Sequence, residues 1–255
     1  MRKEIYMKKI FLVSGAGLMI VMSANAQNII NGNPFYSPAK GRFYNILTPI
    51  EFNTKFEQFY LRDEFGYGIT DALTLSLSTV GSYDSSDNPE FGKWAWNNMG
   101  LELDWSILEQ GENQADIYAG VVQLYNTKHN LEAIEYHWTI GARVGRVTKN
   151  WTVAGIVELD YIKDDVSYHD KDAWAMTVGV QGQYFLDSRW NITGGLDFDF
   201  DLYDTYYDEL QFVFEIGVNY SISSTKYIGV YTSKDLTRDF DNAPMAFGGR
   251  FGIDF

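Results

Sequence analysis

The residues with the clearest chemical potential are acids set at alternate positions. In the stretch 190–202, Asp197, Asp199 and Asp201 alternate with Leu196, Phe198, Phe200 and Leu202. Alternate residues of an extended strand share one face about 6–7 Å apart. Three carboxylates so placed repel one another unless water or cations intervene. The same parity in other stretches carries Glu102, Asp104, Glu135, His137, Arg143, Glu158, Asp160, Glu215, Arg250 and Asp254. With Arg189 added, this set holds ten acids and three arginines. Columns or rings of carboxylates are how a narrow polar passage favours cations.

Composition excludes several other chemistries. The chain has no cysteine, so disulfides, thiolate metal sites and thiol nucleophiles are absent. It has 20 Lys+Arg against 34 Asp+Glu, a net charge of −14. Residues 1–26 hold four of the bases and one of the acids, so the remainder carries −17. No basic footprint for nucleic acid is visible. Nothing in the residues calls for a cofactor or a metal. The acids of the longer polar stretches are Asp84, Asp87, Glu90, Asp164, Asp165, Asp170, Asp172, Asp204, Asp208, Glu209, Asp235, Asp239 and Asp241. They fit no defined calcium loop, and plain solvation explains them more simply than divalent-cation binding.

The elements that must hold the alternating acids are strands. Period-two alternation of apolar with polar or small residues recurs over 42–54, 58–69, 73–83, 95–107, 116–125, 134–147, 151–162, 173–186, 190–202, 209–222, 226–233 and the final stretch through Phe255. That predicts twelve strands, or ten if 41–69, with Pro49 and an out-of-parity Asp63, is not a simple hairpin. Short turns such as Thr70-Asp71-Ala72 and Asp187-Ser188 alternate with long polar loops such as "DSSDNPEFGK" and "KDDVSYHDKD". No stretch after residue 26 is a transmembrane helix, and no 3.6-residue period stands out. The start has a basic "MRKEIYMKK", a 13-residue apolar run from Ile10 to Met22, and the small-x-small triplet Ala24-Asn25-Ala26. Residues 1–26 therefore read as a cleaved secretory signal peptide, too short in its apolar run to span a bilayer. Residues 27–40 read as an irregular lead-in, and 41–255 as one all-β domain.

A secreted β-sandwich would alternate in the same way, with its apolar face inward. Three features favour a transmembrane barrel. The strands run to about 10–14 residues where globular strands average about 5–6, and a tilted membrane strand needs about 9–11. Loop lengths alternate, short then long. Trp105, Trp138, Trp151, Trp174 and Trp190 stand on the apolar parity, mostly near strand ends, where interfacial aromatics belong. In hydrocarbon every backbone polar group must pair internally, so such a sheet closes. The predicted fold is a single antiparallel up-and-down β-barrel, apolar parity to lipid and polar parity to the lumen.

These features, with a C-terminal "GRFGIDF" that puts Phe251, Ile253 and Phe255 on one parity, resemble bacterial outer-membrane β-barrel proteins of the porin-like kind. The resemblance covers essentially the whole chain after residue 26 at the level of pattern and points to no subfamily. It implies a Gram-negative source, integral residence in the outer membrane, contact with outer-membrane lipids, and Phe251, Ile253 and Phe255 as the signal read by the barrel-assembly machinery. With the acidic parity inward, the expected function is transport: passive passage of small polar or cationic solutes. The bland alternative is a non-conducting structural or surface-interaction barrel, its lumen filled by charged side chains and residues 27–40. Some barrels of this kind are hydrolases. Asp164, Asp165, His169 and Asp170 are the residues a protease-like site would draw on, and His137 has no motif around it. Catalysis is the least favoured of the three readings.

Overall fold

The computed structural model describes residues 33–54, 58–84, 95–126, 132–164, 173–202, 210–237 and 245–255. Residues 1–26, expected to be a signal peptide, His169 and nearly all of the loop acids lie outside the described residues, as do the side chains of Asp84 and Asp164.

Twelve strands form: β1 (Phe43–Asn53), β2 (Gln58–Thr70), β3 (Leu73–Asp84), β4 (Ala95–Gln110), β5 (Asn113–Asn126), β6 (Glu132–Val147), β7 (Trp151–Asp164), β8 (Ala173–Phe185), β9 (Trp190–Asp201), β10 (Gln211–Ser223), β11 (Lys226–Asp235) and β12 (Ala246–Asp254). Each pairs antiparallel with its neighbours in sequence, and β1 pairs with β12 to close the barrel. Pairing persists to the last residue. Phe255 N–H donates to the Phe43 carbonyl at 2.9 Å and Phe43 N–H returns the bond at 2.8 Å. The Phe43 and Phe255 rings stack with centroids 5.8 Å apart.

Exposure is inverted relative to a water-soluble protein. Apolar side chains such as Ile140 (62 % exposed), Val144 and Val230 cover the outer wall. Asp104, Glu158, Asp197 and Asn219 point inward and are buried. Sheets that face hydrocarbon need this arrangement, because lipid takes apolar side chains and cannot hydrate charge. On the outer wall, Trp138 pairs across the ladder with Tyr161, and Tyr161 with Trp174, whose rings lie 5.0 Å apart. Trp151 starts the same β7 strand, opposite Tyr184. Trp190 packs on Tyr220 at 4.8 Å, and Trp105 faces Leu73 beside a short turn. Trp151 and Tyr161 are ten residues apart; at about 3.4 Å per residue and about 40° of tilt, they bracket a band about 25 Å tall.

Two strands depart from the alternation read in the sequence. In β1, Tyr44, Ile46, Ile50 and Phe52 share a parity, yet Tyr44 and Ile46 pack inward while Ile50 and Phe52 face outward. The register shifts between Leu47 and Ile50, around Pro49. Proline cannot donate to the ladder, and the extra residue of the bulge exchanges the two faces. In β5, the apolar set Tyr118, Val122 and Leu124 points into the lumen, and Ile117, Ala119 and Val121 face out. The stretch is apolar on both parities, so alternation carries no information there. The Tyr118 hydroxyl fixes the choice, because it needs a polar partner and finds one inside.

Candidate functional site

The inward-facing wall and the segment that enters it form the site. Glu102, Asp104, Glu135, His137, Arg143, Glu158, Asp160, Asp197, Asp199, Asp201, Glu215 and Arg250 all occupy inward positions. Arg189 does not. It belongs to the β8–β9 turn, is exposed, and donates from Nη1 to the Tyr220 hydroxyl at 2.8 Å. The turn extends one residue further than its sequence indicates, so strand parity does not reach Arg189. Five inward charged residues lie outside the set predicted from the sequence: Glu51, Arg62, Glu64, Asp116 and Asp235. Arg62 and Glu64 were legible from the parity of Leu61 and Phe65, whereas Glu51 was hidden by the Pro49 bulge.

The three luminal arginines are each held by acids and stacked on tyrosines. Arg62 grips Glu51 with Nη2 to Oε1 at 2.7 Å and Nε to Oε2 at 3.1 Å, and the Tyr231 hydroxyl also donates to Glu51. Arg250 donates from Nη2 to both oxygens of Glu215, at 2.9 and 3.1 Å, and its guanidinium carbon lies 4.0 Å from the Tyr231 ring centroid. Arg143 meets Asp104 at 2.8 Å and Glu102 at 3.5 Å and lies 4.2 Å from the Tyr118 ring centroid. Planar guanidinium suits both contacts, a carboxylate in its plane and a ring on its face. The Tyr118 hydroxyl in turn donates a hydrogen bond to Glu158 Oε2 at 2.8 Å.

The ring of each of four inward tyrosines lies over a glycine directly across the ladder: Tyr44 over Gly66, Tyr118 over Gly141, Tyr231 over Gly248 and Tyr227 over Gly252. A Cβ added at Gly141 would come within 2.2 Å of the Tyr118 ring. Small residues opposite large ones let a narrow barrel take bulky side chains inside.

The wall formed by β7, β8 and β9 is different. It carries Glu158, Asp160, Asp197, Asp199 and Asp201, with Ala175, Thr177 and Gly179 between them on β8. Thr139 donates to Asp160 at 2.5 Å and Thr177 to Asp199 at 2.6 Å. The luminal ion pairs of Arg62, Arg143 and Arg250 go to other acids, and Glu158, Asp160, Asp197 and Asp199 take part in none of them. Beside them, His137 Nε2 and Glu135 Oε1 lie 2.5 Å apart.

Residues 33–40 occupy the lumen. The Pro34 carbonyl accepts from Arg143 Nη1 at 3.1 Å, Ser37 Oγ lies 2.6 Å from Thr74 Oγ1, and Tyr36 meets Tyr44 edge-on at 5.1 Å. The segment enters over the β2–β3 turn, where Lys40 N–H donates to Asp71 Oδ1 at 3.0 Å. Gly68 makes this entry possible, since a Cβ there would lie 2.4 Å from the Pro38 and Ala39 carbonyl oxygens. Pro34, Phe35, Tyr36 and Pro38 are buried.

Fourteen carboxylates thus face inward among the described residues: Glu51, Glu64, Glu102, Asp104, Asp116, Glu135, Glu158, Asp160, Asp197, Asp199, Asp201, Glu215, Asp235 and Asp254. Three luminal guanidiniums oppose them, Arg62, Arg143 and Arg250, and at the rim the exposed Arg42 pairs with Asp254 at 2.9 Å. Acids outnumber bases on the inward face, and residues 33–38 lie against it.

No protein-family model and no curated protein sequence matches the chain. Solved structures do match in fold. An outer membrane channel from Pseudomonas putida F1 shares 15% identity over 89% of this chain and 100% of its own, with a TM-score of 0.58. The NanC porin shares 10% identity over 83% of this chain and 98% of its own, TM-score 0.60. The KdgM porin, solved in complex with disordered oligogalacturonate, shares 9% over 84% and 98%, TM-score 0.50. At these identities the likeness is one of fold.

Proposed function

We propose that this protein is an outer-membrane channel for passive passage of small polar solutes, with a preference for cations. The observation that carries this reading is the charge of the lumen, fourteen carboxylates against three luminal arginines and Arg42 at the rim. Each arginine already has its own acid, so the β7–β9 wall sets the net potential seen by a passing ion. The apolar outer wall and the fold shared with outer membrane channels and porins support residence in the outer membrane. Trp105, Trp138, Trp151, Trp174 and Trp190 are then lipid-interface anchors, and Phe251, Ile253 and Phe255 the signal for barrel assembly.

The alternative of a non-conducting barrel draws on one observation, the occupation of the lumen by residues 33–40. Planar-bilayer recording under a salt gradient separates the two. A reversal potential favouring potassium over chloride supports the channel, and deletion of residues 33–39 is expected to raise conductance by about twofold or more, since it widens the polar path. Absence of conductance in both forms, or a chloride preference, would overturn the proposal.

A further inference from the structure

We infer that the acidic wall of β7 and β9 is a binding track for linear polyamines, a substrate class of extended organic cations with several ammonium groups. This rests on the channel reading and names the solute that the lumen is shaped to take. Asp197, Asp199 and Asp201 project from one strand at intervals of about 6–7 Å. Amines joined by short methylene chains lie about 5–6 Å apart when extended. Glu158 and Asp160 run parallel on β7, two strands and therefore about 10 Å away. Between them β8 presents only Ala175, Thr177 and Gly179, which leaves a shallow trough with carboxylates on both banks.

Two observations beyond the acids themselves point to a donor-rich ligand. Asp197 is 7% exposed, leans over Gly179, and its Oδ1 meets no hydrogen-bond donor among the described residues. Further along the same wall Gln183 Oε1 and Thr193 Oγ1, on residues paired across the ladder, are buried and likewise without a partner. Buried acceptors normally have donors, and an ammonium chain brings two or three hydrogens at each nitrogen. The geometry also disfavours a point charge. The acids are strung along the wall, and among the described residues no three carboxylate or imidazole groups converge to hold a metal ion.

The test is block of potassium current through the full-length barrel in a planar bilayer by spermine, with ethylamine and Mg²⁺ as probes of lower valence and of point charge. Spermine is expected to block at concentrations at least about tenfold below either, and the Asp197→Asn/Asp199→Asn/Asp201→Asn variant to need about a hundredfold more. Correct folding of the variant is read from its unboiled gel mobility; if the triple variant does not fold, Asp199→Asn alone is expected to weaken block by about threefold or more. If Mg²⁺ or ethylamine blocks as well as spermine, or the variants block like the wild type, the track is overturned while the channel stands. If the barrel does not conduct, calorimetry with spermine in detergent decides: binding lost in the variant supports the track and overturns only the channel, and absence of binding overturns both.

Discussion

Arg143 does the most of any single side chain in the lumen. It neutralises Asp104, approaches Glu102, stacks on Tyr118 and holds the Pro34 carbonyl. Removing one partner of a buried pair leaves the other charge uncompensated, which costs more than the pair contributes. Arg143→Leu is therefore expected to lower unfolding stability by about 3–5 kcal/mol, read from urea unfolding in detergent. Adding Asp104→Asn to it should recover part of the loss, because the stranded carboxylate is gone. Asp187 gives a residue-scale effect of opposite exposure. It lies in the β8–β9 turn outside the membrane band and accepts from the Arg189 and Trp190 backbone N–H groups at 2.7 and 2.8 Å. Those amides hold its carboxyl below the usual value of 3.8. A depressed folded pKa means the turn gains stability above the unfolded value and loses it as pH falls through the lowered one. Hydrogen exchange at the two amides is expected to be slow at neutral pH and, in acid below 3.8, to approach the rate of Asp187→Ala. A pH-independent difference between the two proteins would contradict the assignment.

At the scale of the element, alternation makes the two faces of ten of the twelve strands legible, wherever one parity is polar. β9 is the clearest case, since Asp197, Asp199 and Asp201 can face only the lumen when Phe198 and Phe200 face lipid. The failures have identifiable causes. β5 is apolar on both parities, and what turns Tyr118 inward is a hydroxyl partner on β7, two strands away and 40 residues later in sequence. In β1 a proline bulge exchanged the faces halfway along. The lead-in expected over 27–40 is described from residue 33 on, and nothing local in it shows that it turns into the barrel, because its partners Thr74, Asp71 and Arg143 come from β3, a turn and β6. The tyrosine-over-glycine pairs were equally invisible, since each needs the register between two strands. They predict a specific intolerance. Gly141→Val would drive a side chain into the Tyr118 ring and part Tyr118 from Glu158. The expected loss is about 1–3 kcal/mol from overpacking, measured by the temperature at which the folded band disappears on an unboiled gel. Gly155→Val on the outward face of β7, where the nearest atom to an added Cβ is 3.8 Å away, should cost much less.

For the whole molecule the decisive property is the contrast between its two surfaces. The outside is a band of apolar side chains bounded by aromatics, and the inside carries fourteen carboxylates against three luminal arginines and Arg42 at the rim. A closed sheet is what allows both, because every strand has two neighbours and each parity meets a single medium. Two of the three paired luminal arginines, Arg62 and Arg250, sit towards β12, β1 and β2, roughly across the barrel from the β7–β9 acids, while Arg143 stands on β6 beside them, so the field is uneven as well as negative. Selectivity that arises from this field must depend on ionic strength. The screening length is about 10 Å at 0.1 M salt and about 3 Å at 1 M. The lower value is shorter than the separation of the two acidic banks, about 10 Å, so at high salt an ion on the axis no longer senses both. The ratio of potassium to chloride permeability is therefore expected to be well above the ratio of bulk mobilities at 0.1 M and to fall toward it at 1 M. Reversal potentials under matched tenfold gradients around each concentration measure this directly. A preference that does not change with salt would place selectivity in the width of the passage beside residues 33–40, with the carboxylates serving only to hold water.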